Sequence, residues 1–248
     1  MHRFFIPPEN IGEHEVIFPE NIVRQMRNVL RIQTGELVIV LDNLGCQYKV
    51  TMDELSVKQV RGKILEKYPA MSEPKTRLHL YFSLTQREKV EWILQKCTEL
   101  GAVVFTPFVC ARSLAQEKGM DASKARRWEK IIQEAAEQCG RGRIPTLDDV
   151  VTLAQALKVI VVKTELALVA WEGERQVNLK DVIKSLKPRI RTRKALSVFI
   201  GPEGGFTDNE MDAFRKAGVQ SFSLGERILK METAAMAVCG LILYELEE

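Results

Sequence analysis

The stretch Val198-Phe199-Ile200-Gly201-Pro202-Glu203-Gly204-Gly205-Phe206-Thr207 decides how this chain is read. Its apolar start has the length and composition of a buried strand. The strand runs into a turn with three glycines, which adopt positive φ readily and let backbone approach a ligand closely. Pro202 fixes its own φ and removes one donor, which stiffens the turn. Thr207-Asp208-Asn209-Glu210 follows, the T-x-x-E pattern of a helix-capping box. Strand, glycine-rich turn and capped helix in that order predict a ligand-binding edge at the carboxyl ends of parallel strands. The stretch carries neither the G-x-G-x-x-G of dinucleotide sites nor the G-x-x-x-x-G-K-[ST] of P-loops. Glu203 within the turn points to a ligand that is neutral or cationic on that side.

Working outward, strands and helices alternate. Leu78 to Phe82 reads as a strand, followed by a helix with Val90, Ile93, Leu94, Cys97 and Leu100 on one stripe, stopped at Gly101. Val103 to Phe105 is another strand, and Trp128, Ile131, Ile132, Ala135 and Cys139 form a second helical stripe. Val159 to Val162, Leu166 to Trp171 and Leu196 to Ile200 are apolar runs of strand length. Ala235, Val238, Cys239, Ile242 and Leu246 put a helix at the C-terminus. This alternation predicts an α/β domain with a parallel sheet. The first seventy residues differ. Short strands at Glu36–Asp42, Gln47–Met52 and Val60–Leu65, with one helix carrying Ile22, Met26, Val29 and Leu30, predict a small β-barrel. Tyr68 to Pro74, with two prolines, breaks the pattern, so the expected domains are 1–72 and 73–248.

The chain has 248 residues, 46% of them hydrophobic and 28% charged, which suits a folded protein of one large or two moderate domains. No apolar run has the length of a membrane span, and the N-terminus has no secretory signal, so a cytoplasmic protein is expected. The five cysteines (Cys46, Cys97, Cys110, Cys139, Cys239) contain no C-x-x-C, and His2, His14 and His79 lie far from them. Neither disulfides nor a metal site is expected. The net charge is only +3, but basic residues cluster at Arg24, Arg27 and Arg31, at Arg141 and Arg143, and between Lys187 and Lys194. Three such clusters favour an anionic partner such as RNA.

A second segment, Phe222-Ser223-Leu224-Gly225-Glu226-Arg227-Ile228-Leu229-Lys230-Met231-Glu232-Thr233-Ala234-Ala235, joins a short strand to the last helix. The pairing of GPEGG with a later LGxRILxxETA resembles the 16S ribosomal RNA (uracil-N3) methyltransferases, within the SPOUT (trefoil-knot) superfamily. The resemblance extends over nearly the whole chain, through Arg3-Phe4-Phe5, Val29-Leu30-Arg31, Lys89 to Gly101, Ala111-Arg112-Ser113 and Glu134 to Arg141. The chain departs from that pattern at Arg24-Gln25, where many relatives carry a His pair. It departs again at Lys230, which keeps the charge of the family's Arg but loses its bidentate fork.

The resemblance implies an N-terminal PUA-like barrel for RNA, a C-terminal methyltransferase domain whose chain end is knotted, and a homodimer. It implies S-adenosylmethionine held by Ala170, Trp171, Glu172, Ile200, Gly201, Glu203, Gly204, Leu224, Gly225, Ile228 and Leu229. The reaction it implies is methylation at N3 of a uridine in 16S rRNA, on the free RNA or the small ribosomal subunit. Uracil N3 must lose a proton, which calls for a base or for cations that stabilise the uridine anion. Arg227 and Lys230 are the candidate cations and Glu232 the candidate base, with loop positioning as the other role open to Glu232. Arg3, Arg24, Arg27, Arg31, Arg112 and Arg141 are candidate phosphate contacts. A relative acting on transfer RNA, or an rRNA-binding assembly protein without catalysis, are the alternatives.

Overall fold

The structure is a computed structural model, and it describes residues 1–56, 59–114, 121–163 and 166–247. The chain forms two compact units, Met1–Glu73 with Gln133–Ile144, and Pro74–Ile132 with Pro145–Glu248.

The first unit holds β1 (Arg3–Phe5), β2 (Glu15–Ile17), α1 (Glu20–Gln25), β3 (Leu37–Leu41), β4 (Cys46–Leu55) and β5 (Val60–Pro69). The sheet order is β1-β3-β4-β5-β2, with β1 parallel to β3 and the other pairs antiparallel. Alternate residues Val38 and Val40, then Val50 and Met52, join Phe4, Phe18, Ile22 and Met26 in one core. Register shifts at Lys49/Val50 and Met52/Glu54 bend β4 around it. Among the described residues β1 and β2 do not pair with each other, so the sheet is a half-barrel rather than the closed barrel expected. The expected helix starts as α1 and widens into one π-helical turn over Met26–Leu30, which leaves Val29 exposed.

Gln133–Ile144 join this unit through their own contacts. Ala136 and Ile144 pack with Phe5, Ile39 and Leu41. The Phe5 N–H donates to Glu137 Oε1 at 3.0 Å, and Arg141 Nη2 lies 3.0 Å from Glu73 Oε2. The compact units therefore differ from 1–72 and 73–248 by this inserted segment. Contacts 132 residues apart bring it in, and no local pattern announces them.

The second unit holds β6 (Arg77–Ser83), α2 (Arg87–Glu99), β7 (Val104–Val109), the first part of α3 (Ala122–Cys139), β8 (Thr146–Leu147), β9 (Val151–Thr152), α4 (Leu153–Lys163), β10 (Ala167–Ala170), α5 (Leu179–Arg193), β11 (Ala195–Ile200), α6 (Asp208–Lys216), β12 (Gln220–Phe222) and α7 (Met231–Glu247). Its sheet is parallel throughout, in the order β12-β10-β11-β6-β7-β8, with β9 also on β7. On one face Tyr81 stacks on Phe199 at 4.3 Å, and Phe214 meets Phe199 and Phe206 edge-on at 5.1 and 4.9 Å.

Val159 to Val162, expected as a strand, lies inside α4 instead. Leu153, Ala156, Leu157 and Ile160 form its buried stripe while Val161 and Val162 are exposed, so the apolar run is the end of a longer helical pattern. The basic run Lys187 to Arg193 lies in α5, which Asn178 caps by accepting the Asp181 N–H at 2.9 Å. The sheet order has one decisive result. Ala170 is in register with both Ile200 and Phe222, so β10, β11 and β12 end side by side.

Candidate active site

At those strand ends the glycine-rich turn takes a defined shape. The Gly205 N–H donates to Pro202 O at 2.9 Å and Gly205 has φ 67°, a left-handed value that favours glycine. A side chain there would also strike the Glu172 carboxylate. The helix that follows is capped as predicted: Thr207 N–H donates to Glu210 Oε2 at 2.8 Å, and Thr207 Oγ1 accepts from the Glu210 N–H at 3.3 Å. Glu210 Oε1 also accepts the Ala111 N–H at 2.8 Å, and Arg112 Nη1 donates to Gly204 O at 2.7 Å. The turn is thus tied to the segment after β7.

The loops after β10 and β12 are tied to one another. Trp171 N–H donates to Phe222 O at 3.1 Å, Ser223 N–H to Val177 O at 2.8 Å and Leu179 N–H to Ser223 O at 3.2 Å. Beyond them Gly225 has φ 108°, and a methyl group added there would meet open space.

The three loops enclose a cavity of about 430 Å³. Ala170, Trp171, Glu172, Ile200, Gly201, Glu203, Gly204, Leu224, Gly225, Ile228 and Leu229 all line it, as do Arg227 and Lys230. Arg175, Pro202, Gly205, Ser223, Glu226, Met231 and Ala234 line it too. Six of these lie within the two quoted stretches without having been singled out as site residues, and Arg175 lies outside both.

Glu232 is not part of this lining. It sits in the first turn of α7, and its Oε2 is buried without a hydrogen-bond partner among the described residues.

Glu203 behaves differently from the reading of the turn alone. Its Oε1 accepts from Thr85 Oγ1 and from Lys89 Nζ, both at 2.6 Å. Burial pushes the Glu203 carboxyl up, but the hydrogen bonds from Lys89 and Thr85 outweigh it and hold the pKa below its ordinary value. The carboxylate is thus engaged inside the protein, and it does not by itself set the charge of the ligand. Thr85 and Lys89 are residues that sequence reasoning missed, although Lys89 stood within a quoted stretch.

The candidate phosphate contacts divide. Arg24 is exposed and paired with Glu20. Arg3 Nε and Arg27 Nη2 are buried nitrogens without a hydrogen-bond partner among the described residues, and Arg31 caps its turn at φ 52°. Arg141 is 3% exposed and ion-paired with Glu73, so its charge is balanced inside the first unit. Arg112 is exposed beside Gly204.

The thiols of Cys97 on α2 and Cys239 on α7 are buried, and burial raises the Cys97 pKa. Among the described residues no group of three or more His, Cys, Asp or Glu side chains could hold a metal ion, and no helix is long and apolar enough to cross a membrane.

The family model described as the RNA methyltransferase domain matches residues 72–243. The ribosomal RNA small subunit methyltransferase E of Bacillus subtilis (strain 168) is 31% identical over 226 residues, covering 91% of this chain and 88% of its own. That of Synechocystis sp. is 30% identical, covering 94% and 74%. A crystal structure of the Neisseria gonorrhoeae ribosomal RNA small subunit methyltransferase E, bound to S-adenosyl methionine, superposes with a TM-score of 0.87 at 28% identity, covering 99% of this chain and 98% of that one. A half-barrel unit and a parallel α/β unit, the latter with a glycine-walled cavity where three strands end, accord with these matches, and the chain belongs to the RNA methyltransferase family, in the ribosomal RNA small subunit methyltransferase E group.

Proposed function

We propose that this chain transfers the methyl group of S-adenosylmethionine to N3 of one uridine in 16S ribosomal RNA. The observation that carries the reading is the cavity at the adjoining ends of β10, β11 and β12. Its volume of about 430 Å³ falls within the range of small-molecule sites. Ile200, Leu224, Ile228 and Leu229 offer apolar faces for an adenine ring, and Glu172 and Glu226 offer carboxylates to hydroxyl or ammonium groups. Gly225 lets backbone come close to the ligand, since nothing would fill the space of its missing side chain. The names of the relatives, and the ligand of the gonococcal enzyme, point the same way.

When bound, S-adenosylmethionine supplies an electrophilic methyl group on a sulfonium. The N3 lone pair of uracil forms the new C–N bond as the C–S bond breaks, and the N3 proton must leave. Glu232 is the residue proposed to take that proton, because its Oε2 is a buried acceptor without a donor among the described residues. Arg227 and Lys230, on the cavity wall, stabilise the negative charge spread over the uracil oxygens. Holding the two reactants in line supplies much of the remaining acceleration.

The first unit is read as a PUA-like RNA-binding domain, with Arg3, Arg24, Arg27 and Arg31 toward phosphates. The segment after β12 is read as the threaded end of a trefoil knot, supported by the bonds of Ser223 to Val177 and Leu179. Exposed Trp92 on α2 and Leu241 and Tyr244 on α7 support a homodimer in which a second copy covers them.

The test is methyl transfer from labelled S-adenosylmethionine to small ribosomal subunits that lack the modification, with transfer RNA alongside. Label in the subunit RNA is expected. Equal or greater labelling of transfer RNA would overturn the choice of substrate.

A further inference from the structure

We propose that Arg175, on the cavity wall that follows β10, holds the carboxylate of S-adenosylmethionine and makes the site selective for a ligand that carries it. The inference rests on the cofactor reading proposed above and deepens it, because it assigns the amino-acid end of the ligand.

That end of S-adenosylmethionine is a carbon bearing both an ammonium and a carboxylate. A site for it needs an acceptor and a cation close together. The segment after β10 carries both within four residues, as Glu172 and Arg175, and both line the cavity. Glu172 has a fixed place, since its Oε1 occupies space that a side chain on Gly205 would need. Arg175 is exposed, and its guanidinium has no ion pair or hydrogen bond among the described residues.

The backbone that carries Arg175 is held on both sides. The Glu174 N–H donates to Trp171 O at 3.2 Å and closes a turn just before it. Glu174 Oε1 accepts the N–H groups of Gln176 at 2.9 Å and Val177 at 3.2 Å, just after it. Glu174 Oε2 accepts Ser221 Oγ at 2.6 Å, which ties the segment to β12. Only the side chain of Arg175 then loses freedom when a ligand is bound, which keeps the cost of binding low.

Three cations line the cavity: Arg175, Arg227 and Lys230. Arg227 and Lys230 come from the segment before α7 and are given to the uracil oxygens by the reaction proposed above. Arg175 comes from a different loop and is the cation left for the cofactor. Its planar fork can meet a carboxylate with two parallel N–H···O bonds, which a lysine cannot do.

Decarboxylated S-adenosylmethionine keeps the adenosine, the sulfonium and the ammonium, and so isolates this one contact. The experiment titrates each ligand by calorimetry into the unmutated protein, Arg175→Met and Arg175→Lys, and measures the affinity of each protein for 16S ribosomal RNA. The unmutated protein is expected to prefer S-adenosylmethionine by about 30-fold, the scale of hydrogen bonds to a charged group. Arg175→Met is expected to lose that factor for S-adenosylmethionine and to bind the decarboxylated ligand within about threefold of the unmutated protein. Arg175→Lys should fall between, because it keeps the charge without the fork. Unchanged affinity of Arg175→Met for S-adenosylmethionine would overturn the proposal. An equal loss for both ligands would overturn it too, since Arg175 would then only support the loop. A loss confined to RNA would overturn it by making Arg175 a phosphate contact. Failure of the cofactor reading itself looks different: the unmutated protein then binds neither ligand.

Discussion

Lys89 on α2 and Glu203 in the turn after β11 are joined by a 2.6 Å ion pair between residues 114 apart in the chain, each about a quarter exposed. Thr85 shares the same carboxylate oxygen, so the turn is held from the β6–α2 side as well as by its own backbone. Glu203→Gln should lower stability by about 1–2 kcal/mol, the scale of a charge-assisted hydrogen bond. The pH dependence follows from the two shifts. Glu203 is held below 4.5, so its contribution is present above that pH and lost as pH falls through the lowered value. Lys89 is raised above 10.5, so its share is lost only as pH rises past that raised value. Denaturant melts of both proteins at pH 3 to 8 check this, and the difference should shrink only at the acid end.

Arg227 lies on the cavity wall and is exposed to whatever enters. If it stabilises the uridine anion, Arg227→Ala should lower kcat by about 100-fold or more, with little change in affinity for S-adenosylmethionine. Turnover assays paired with calorimetry separate the two quantities. Loss of cofactor binding in proportion to rate would make Arg227 a binding residue only.

Arg141 and Arg24 carry the same charge but should behave differently. Arg141 is buried against Glu73, so Arg141→Met leaves a carboxylate without its cation and should cost about 3 kcal/mol of stability. Arg24 is exposed, and its pair with Glu20 contributes little to folding. Arg24→Ala should leave the melting temperature unchanged and reduce the salt dependence of RNA binding by about one unit of log–log slope. Thermal melts and RNA titrations at several salt concentrations distinguish the two.

His79 sits on β6 with its pKa lowered to about 3, because burial disfavours the charged ring and Lys163 and Arg77 add repulsion. Asp148 lies 3.7 Å away and would favour a charged ring. Thr106 stands between them, donating its one hydroxyl proton to Asp148 at 2.6 Å and accepting from the imidazole at 2.6 Å. With its side chain 18% exposed, the ring is governed by burial and by the positive neighbours. The unfolded chain therefore binds a proton near pH 6.5 that the folded chain refuses until about pH 3. Stability should fall by a few kcal/mol as pH drops through that window. His79→Gln should flatten that slope in denaturant melts at pH 4 to 7.5.

The glycine-rich turn was legible because its chemistry is local: an apolar strand, glycines at a sharp turn and a T-x-x-E cap lie within thirteen residues. The second wall of the cavity was legible only beside the first, through the resemblance. What the sequence could not reveal lies in contacts between distant segments. Lys89 reads as one more charge on an amphipathic helix until the fold brings Glu203 to it. Phe5 and Glu137 carry no mark of their hydrogen bond, so the placement of Gln133–Ile144 was hidden. Val159 to Val162 misled for another reason. A short apolar run has no period of its own, and the helix shows only when Leu153, Ala156 and Leu157 are counted with it.

The central claim is the identity of the methylated atom. The most direct measurement is mass spectrometry of nucleosides from small-subunit RNA, isolated from unmodified subunits incubated with this protein and S-adenosylmethionine. The account predicts 3-methyluridine at one position, absent when the protein is omitted. A methyl group on a ribose oxygen or on another base, with the cofactor bound normally, would contradict it.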